Sequence, residues 1–115
     1  MPRTRVSPDL LSNTSLKAFS FTSLSASIPI AAGDVVVEAK VVLTTAFNGS
    51  PSGVFSTGSG TALIPSGQMS FSSTDTYICQ KPFRAVAADT VSVVVSATSP
   101  TQGSGFLIVV TASPQ

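Results

Sequence analysis

Alternation with a period of two runs through most of this chain. Leu24, Ala26 and Ile28 share one side of a run, with Ser23, Ser25 and Ser27 opposite, and Phe19 and Phe21 share a side just before it. Such alternation marks a strand with one buried face. Residues 16–28 therefore read as a strand that Pro29 ends, and Ala31 to Asp34 read as a turn. Residues 35–47 give the strongest strand: Val35, Val37, Ala39, Val41 and Leu43 face one way, and Val36, Glu38, Lys40, Val42 and Thr44 the other. Its β-branched content argues against a helix. Asn48-Gly49 marks a turn. A short strand, Val54 to Thr57, sits in a Gly- and Ser-rich stretch, and residues 61–64, 68–72, 76–80 and 83–87 read as further short strands. Met69 pairs in direction with Phe71, and Tyr77 with Cys79. Residues 90–97 align Val91, Val93, Val95 and Ala97, while 105–112 align Phe106, Ile108, Val110 and Ala112, with Ser99 to Ser104 as a hairpin loop between them.

Turn signals recur about every 8 to 12 residues, the spacing of a sandwich. The expected fold is all-β: an antiparallel β-sandwich, jelly-roll-like, of about eight short strands with an extended N-terminal arm. Residues 1–15 form that arm, because Pro2, Pro8, Arg3, Arg5, Asp9 and a Ser/Asn/Thr cluster show no period. Residues 16–115 form a single β-sandwich domain. A chain of 115 residues suffices for one core.

Composition narrows the chemistry. The chain has no His, no Trp and one Cys. A His-based triad, a His-ligated metal site and a disulfide within one chain are thereby excluded. Gly58-Ser59-Gly60 lacks the spacing, the Lys and the helix of a phosphate loop. Cys79 reads as a small buried hydrophobe, since Lys81 is nearby but no base is. Glu38 and Lys40 read as a solvated outer face. Asp9, Asp34, Asp75 and Asp89 mostly sit at expected turns, where their carboxylates bond nearby backbone N–H groups. No catalytic residue, no cofactor and no metal site is assigned, and the expectation is a non-enzyme.

Net charge is +1, so no basic field holds nucleic acid or anionic lipid. Mean hydropathy is +0.43, yet no run approaches the roughly 20 apolar residues of a membrane-spanning helix. Arg3 and Arg5 are followed by no apolar core of a signal peptide, and the lone Cys79 fits a reducing compartment. Only 10% of residues are charged, while 33 are Ser or Thr. Charge is a main defence against edge-to-edge strand pairing, and here it is thin. Small hydroxyl side chains form contacts at little entropic cost. The balance points to a protein surrounded by other protein.

Two stretches carry a resemblance. Residues 28–50, IPIAAGDVVVEAKVVLTTAFNGS, place a Pro/Ala/Gly-Asp turn before a Val-rich strand that closes on Thr-Thr-Ala-Phe-Asn-Gly-Ser. Residues 89–113, DTVSVVVSATSPTQGSGFLIVVTAS, give a Val strand, a Ser/Thr/Gly loop and a final apolar strand. In this order they resemble small all-β virion proteins of tailed bacteriophages, often capsid decoration (cement) proteins. The resemblance implies a homotrimeric subunit made in the host bacterial cytoplasm. It would sit on the outer capsid surface and clamp junctions between major capsid subunits. The implied partners are the major capsid protein and further copies of the chain, with no small-molecule substrate. Candidate interface residues are Arg3, Arg5, Leu10 and Leu11 on the arm, and Phe55 in the Gly-rich stretch, whose alternative place is the core. Tail, neck or fibre attachment is the rival position. A carbohydrate- or receptor-binding module is a weaker rival, since aromatics make up only 7%.

Overall fold

The structure, a computed structural model, describes residues 10–79 and 81–114. Among the described residues nine strands follow one another: β1 (Leu10–Ser20), β2 (Ser25–Ile30), β3 (Val35–Thr45), β4 (Ser52–Thr57), β5 (Ala62–Ile64), β6 (Thr76–Cys79), β7 (Phe83–Arg84), β8 (Asp89–Ser96) and β9 (Ser104–Pro114). They build two antiparallel sheets. The first has the order β1-β9-β3-β6, with β7 also on β3, and the second the order β2-β8-β4-β5. β6 meets β3 at residues 39–42 and β7 meets it at 35–36, so the two occupy successive stretches of the same β3 ladder. The fold is the expected β-sandwich.

The pairings nest. β1 pairs with β9, β2 with β8, β3 with β6 and β4 with β5, each antiparallel. The chain is thus one long hairpin rolled into two layers. Only the β4–β5 and β6–β7 connections stay within a sheet; every other one crosses to the opposite layer.

The core lies between the layers. Val36, Ala39, Val41, Leu43, Leu107 and Val109 point into it from the first sheet, and Ala26, Ile28, Ile30, Phe55, Val91, Val93 and Val95 from the second. At one end, Phe19, Phe47, Phe71 and Tyr77 stand in a row with successive centroids 6.0, 6.3 and 6.5 Å apart. Gly53 lies so close to the Phe71 ring that a Cβ there would overlap it.

Several expectations are corrected. Residues 10–15 belong to β1 rather than to an arm, so the expected boundary at residue 15 moves to before Leu10. No alternation announced them because β1 is an edge strand, and Asn13 to Ala18 are exposed on both of its faces. Residues 16–28 are two strands, broken where Ser20 and Ser23 exchange backbone hydrogen bonds across Phe21-Thr22. Pro29 does not end β2. It sits within an edge strand opposite Thr90, where a missing N–H is tolerated. In β3 a bulge between Val36 and Glu38 shifts the register, turning Val36 inward and leaving Val37 45% exposed. Residues 68–72 are not a strand, yet Phe71 is buried, packed between the Phe47 and Tyr77 rings, and the Tyr77 hydroxyl accepts from Ser70 N and donates to Ser70 O. Ser99 to Ser104 form no hairpin: β8 and β9 lie in opposite sheets, and this loop is a corner between them. Asn48 holds the corner, its Oδ1 accepting from Thr101 N at 2.8 Å and its Nδ2 donating to Thr101 Oγ1.

Candidate assembly surfaces and an end cleft

The sequence-selected interface residues that are described, Leu10, Leu11 and Phe55, do not come together. Phe55 is fully buried at the centre of the core, paired across to Val93, and presents nothing to a partner. Its place is the alternative the sequence left open. Leu10 and Leu11 open β1, opposite Pro114 and Ser113, so they belong to a sheet ladder instead of a free arm. Arg3 and Arg5 lie outside the described residues.

The two outward faces of the sandwich differ in chemistry. On the second sheet, Ser25, Val94 and Val54 form one row, and Ser27, Ser92 and Ser56 the next. Ser52 and Ser96 are exposed beside them. This is the hydroxyl-rich face that the composition predicted, with Val54 and Val94 at its centre about half exposed.

The first sheet has an apolar outward face. One row across its strands is Leu16, Ile108, Lys40 and Ile78, and the next is Ala18, Phe106, Val42 and Thr76. Thr14, Val110 and Glu38 form a third. Leu16 is 58% and Ile78 43% exposed, while the side chains between them are shielded only by their neighbours in the sheet. β9 is thus apolar on both faces: Leu107 and Val109 fill the core, and Phe106, Ile108 and Val110 line the outside. Alternation alone could not show which set faced in. The single ion pair among the described residues sits here, Lys40 Nζ to Glu38 Oε1 at 3.6 Å. Both side chains are about one-third exposed, so the pair adds little to stability. Contiguous apolar patches of this kind mark interaction surfaces.

At the end of the sandwich opposite the aromatic row, an open cleft of about 840 Å³ lies beside β5 and β7. One wall is the β4–β5 turn, pinned by Gly58 N donating to Thr90 O and Gly60 N to Thr57 O. Those amides are committed to the turn, so Gly58-Ser59-Gly60 offers no phosphate cradle. Asp89 accepts from Thr90 N and from the Ser59 hydroxyl, each at 2.8 Å. The Thr90 amide, and then the Ser59 hydroxyl, hold its carboxyl below the ordinary value of 3.8, against a smaller opposing effect of burial. Asp34 and Asp75 likewise accept from the backbone amides of Ala31 and Thr76. The remaining lining is mostly Ala, Pro, Val, Leu and Phe83, with Cys79, Lys81 and Arg84. Sequence reading singled out Cys79 and Lys81 as neighbours but could not bring them to Asp89, because the nested pairing alone joins β6, β7 and the start of β8. The half-buried Cys79 thiol packs against the core. The arrangement offers small polar groups on an apolar floor.

No protein-family model matches the chain, and no curated protein or solved structure matches it either.

Proposed function

We propose that this chain is a virion structural protein, a decoration subunit that binds the outer surface of a phage head and stabilises junctions between major capsid subunits. The observation that carries this reading is the uncovered apolar face of the first sheet, in a chain with only 10% charged residues. Such a face in water favours association, because burying it removes apolar area from solvent at roughly 25 cal/mol per Å². The nested strand order adds support. We read it as jelly-roll-like, and jelly rolls occur among viral capsid and lectin domains. Many copies on a fixed lattice turn modest contacts into strong attachment without any catalytic step.

The test mixes the full chain with purified heads stripped of it and images them by cryo-electron microscopy. Density repeating at every lattice junction is the expected result. Density at a single vertex favours tail, neck or fibre attachment, and bare heads overturn both. Deleting residues 1–9, which carry Arg3 and Arg5, is expected to lower occupancy while leaving β1 whole. Full occupancy by the shortened chain would remove residues 1–9 from the contact.

The end cleft favours a second reading, a carbohydrate- or receptor-binding module. Phe83 is its one aromatic, half-buried, so the stacking platform such sites favour is small. Binding to a glycan array with bare heads would favour this reading.

A further inference from the structure

We infer that the apolar outer face of the first sheet is a two-fold interface with a second copy of this chain, in which Glu38 of each copy meets Lys40 of the other. The inference rests on the assembly reading above but assigns that face to a second copy, so attachment to a head falls to the other surfaces of the dimer.

Register carries the argument. Glu38 and Lys40 lie two residues apart on the outer face of β3, on either side of the inward Ala39. Consider a two-fold axis in the plane of contact, perpendicular to the strands and level with Ala39. It turns β3 antiparallel to its copy and sets Glu38 over Lys40 and Lys40 over Glu38. The same axis sets Ile108, the ladder partner of Lys40, over Val110, the ladder partner of Glu38. Charge meets opposite charge on β3, apolar meets apolar on β9, and on β1 Leu16 lies over Thr14, with one patch used twice as an isologous contact requires. An axis parallel to the strands and midway between β3 and β9 would instead press Lys40 onto Ile108.

Size agrees. Four strands about 4.8 Å apart, over ladder positions rising about 3.4 Å each, give this face roughly 570 Å². Two copies bury roughly 1,100 Å², above the ~1,000 Å² that separates specific interfaces from incidental ones. Sheets stack face to face about 10 Å apart, which suits the half-shielded Phe106 and Val42 side chains.

Sedimentation equilibrium of the full chain tests this. The expected particle has twice the 11.6 kDa mass of one chain. E38K and K40E each set like charges across the axis and are expected to raise the dimer dissociation constant by about tenfold or more. The double swap E38K/K40E restores opposite charges and is expected to dimerise like the parent. An equimolar mixture of the two single variants is expected to form a heterodimer. Circular dichroism melts establish that each variant is folded. A trimer, a monomer at all concentrations, or single reversals that dimerise unchanged would overturn the inference. Failure of head binding by a chain that dimerises as described sinks the decoration reading and leaves this one standing; a monomer that decorates heads does the reverse.

Discussion

Asp89 shows how a single carboxylate secures the fold. Its bond from the Ser59 hydroxyl ties the start of β8 to the β4–β5 turn, while the Thr90 amide holds the carboxylate locally. Hydrogen bonds to the charged form depress its pKa in the folded state. A depressed carboxyl contributes stability above its unfolded pKa, and that contribution is lost as pH falls through the folded value. Asp89→Asn is therefore expected to flatten the acid limb of the stability curve below about pH 4 and to leave its pH dependence near neutrality unchanged. Thermal melts across pH check this; an acid limb identical to that of the parent would refute it. Phe55 gives the opposite lesson at the same scale. A Gly-rich neighbourhood suggested an exposed aromatic, but β4 alternates cleanly around it, and Gly53 is there to admit the Phe71 ring. The glycine served packing, not flexibility.

At the scale of elements, crossings between layers matter more than the strands themselves. Asn48 is the fastener between the β3–β4 and β8–β9 corners, since its side chain bonds Thr101 while Gly49 O accepts from Thr98 N. Gly103, at φ 139°, packs its bare Cα against the Phe47 ring in the same corner. Asn48→Ala is expected to destabilise by about 1–2 kcal/mol, because the Thr101 amide loses its acceptor. Hydrogen exchange should quicken at Thr101 and its neighbours before it quickens in β9. Unchanged exchange there would show that the corner holds without Asn48. β3, β4, β8 and β9 were legible because each has an alternating or Val-rich run. β1 was legible only at Phe19, where the other layer covers it. The β3 bulge left no mark, since Val35, Val36 and Val37 are equally apolar and any of them could turn inward.

For the molecule as a whole, nesting places the first and last described strands side by side, with Leu10 opposite Pro114. Among the described residues, every strand ladder except the local β4–β5 hairpin then joins segments distant in sequence. Folds dominated by such non-local pairing refold in about milliseconds to seconds. Stopped-flow refolding is expected to fall in that range, well behind helical domains of similar length. A microsecond phase carrying the full amplitude would contradict the nested topology. The same nesting leaves edges on both sides of the sandwich and one apolar outer face, and these decide what the molecule can meet.

Sequence alone determined that the chain is all-β, that it has one core of Val, Ile and Phe, and that it lacks the side chains of His-based chemistry. These are local matters: period, β-branching and composition act residue by residue. Tertiary structure decided which strands are neighbours, that the last loop is a corner, and that β9 carries apolar side chains on both faces. It also decided that Asp89, Cys79 and Arg84 line one cleft. Those outcomes depend on pairing between distant segments, and a two-residue period reads the same whichever partner a strand takes and whichever side it turns to water.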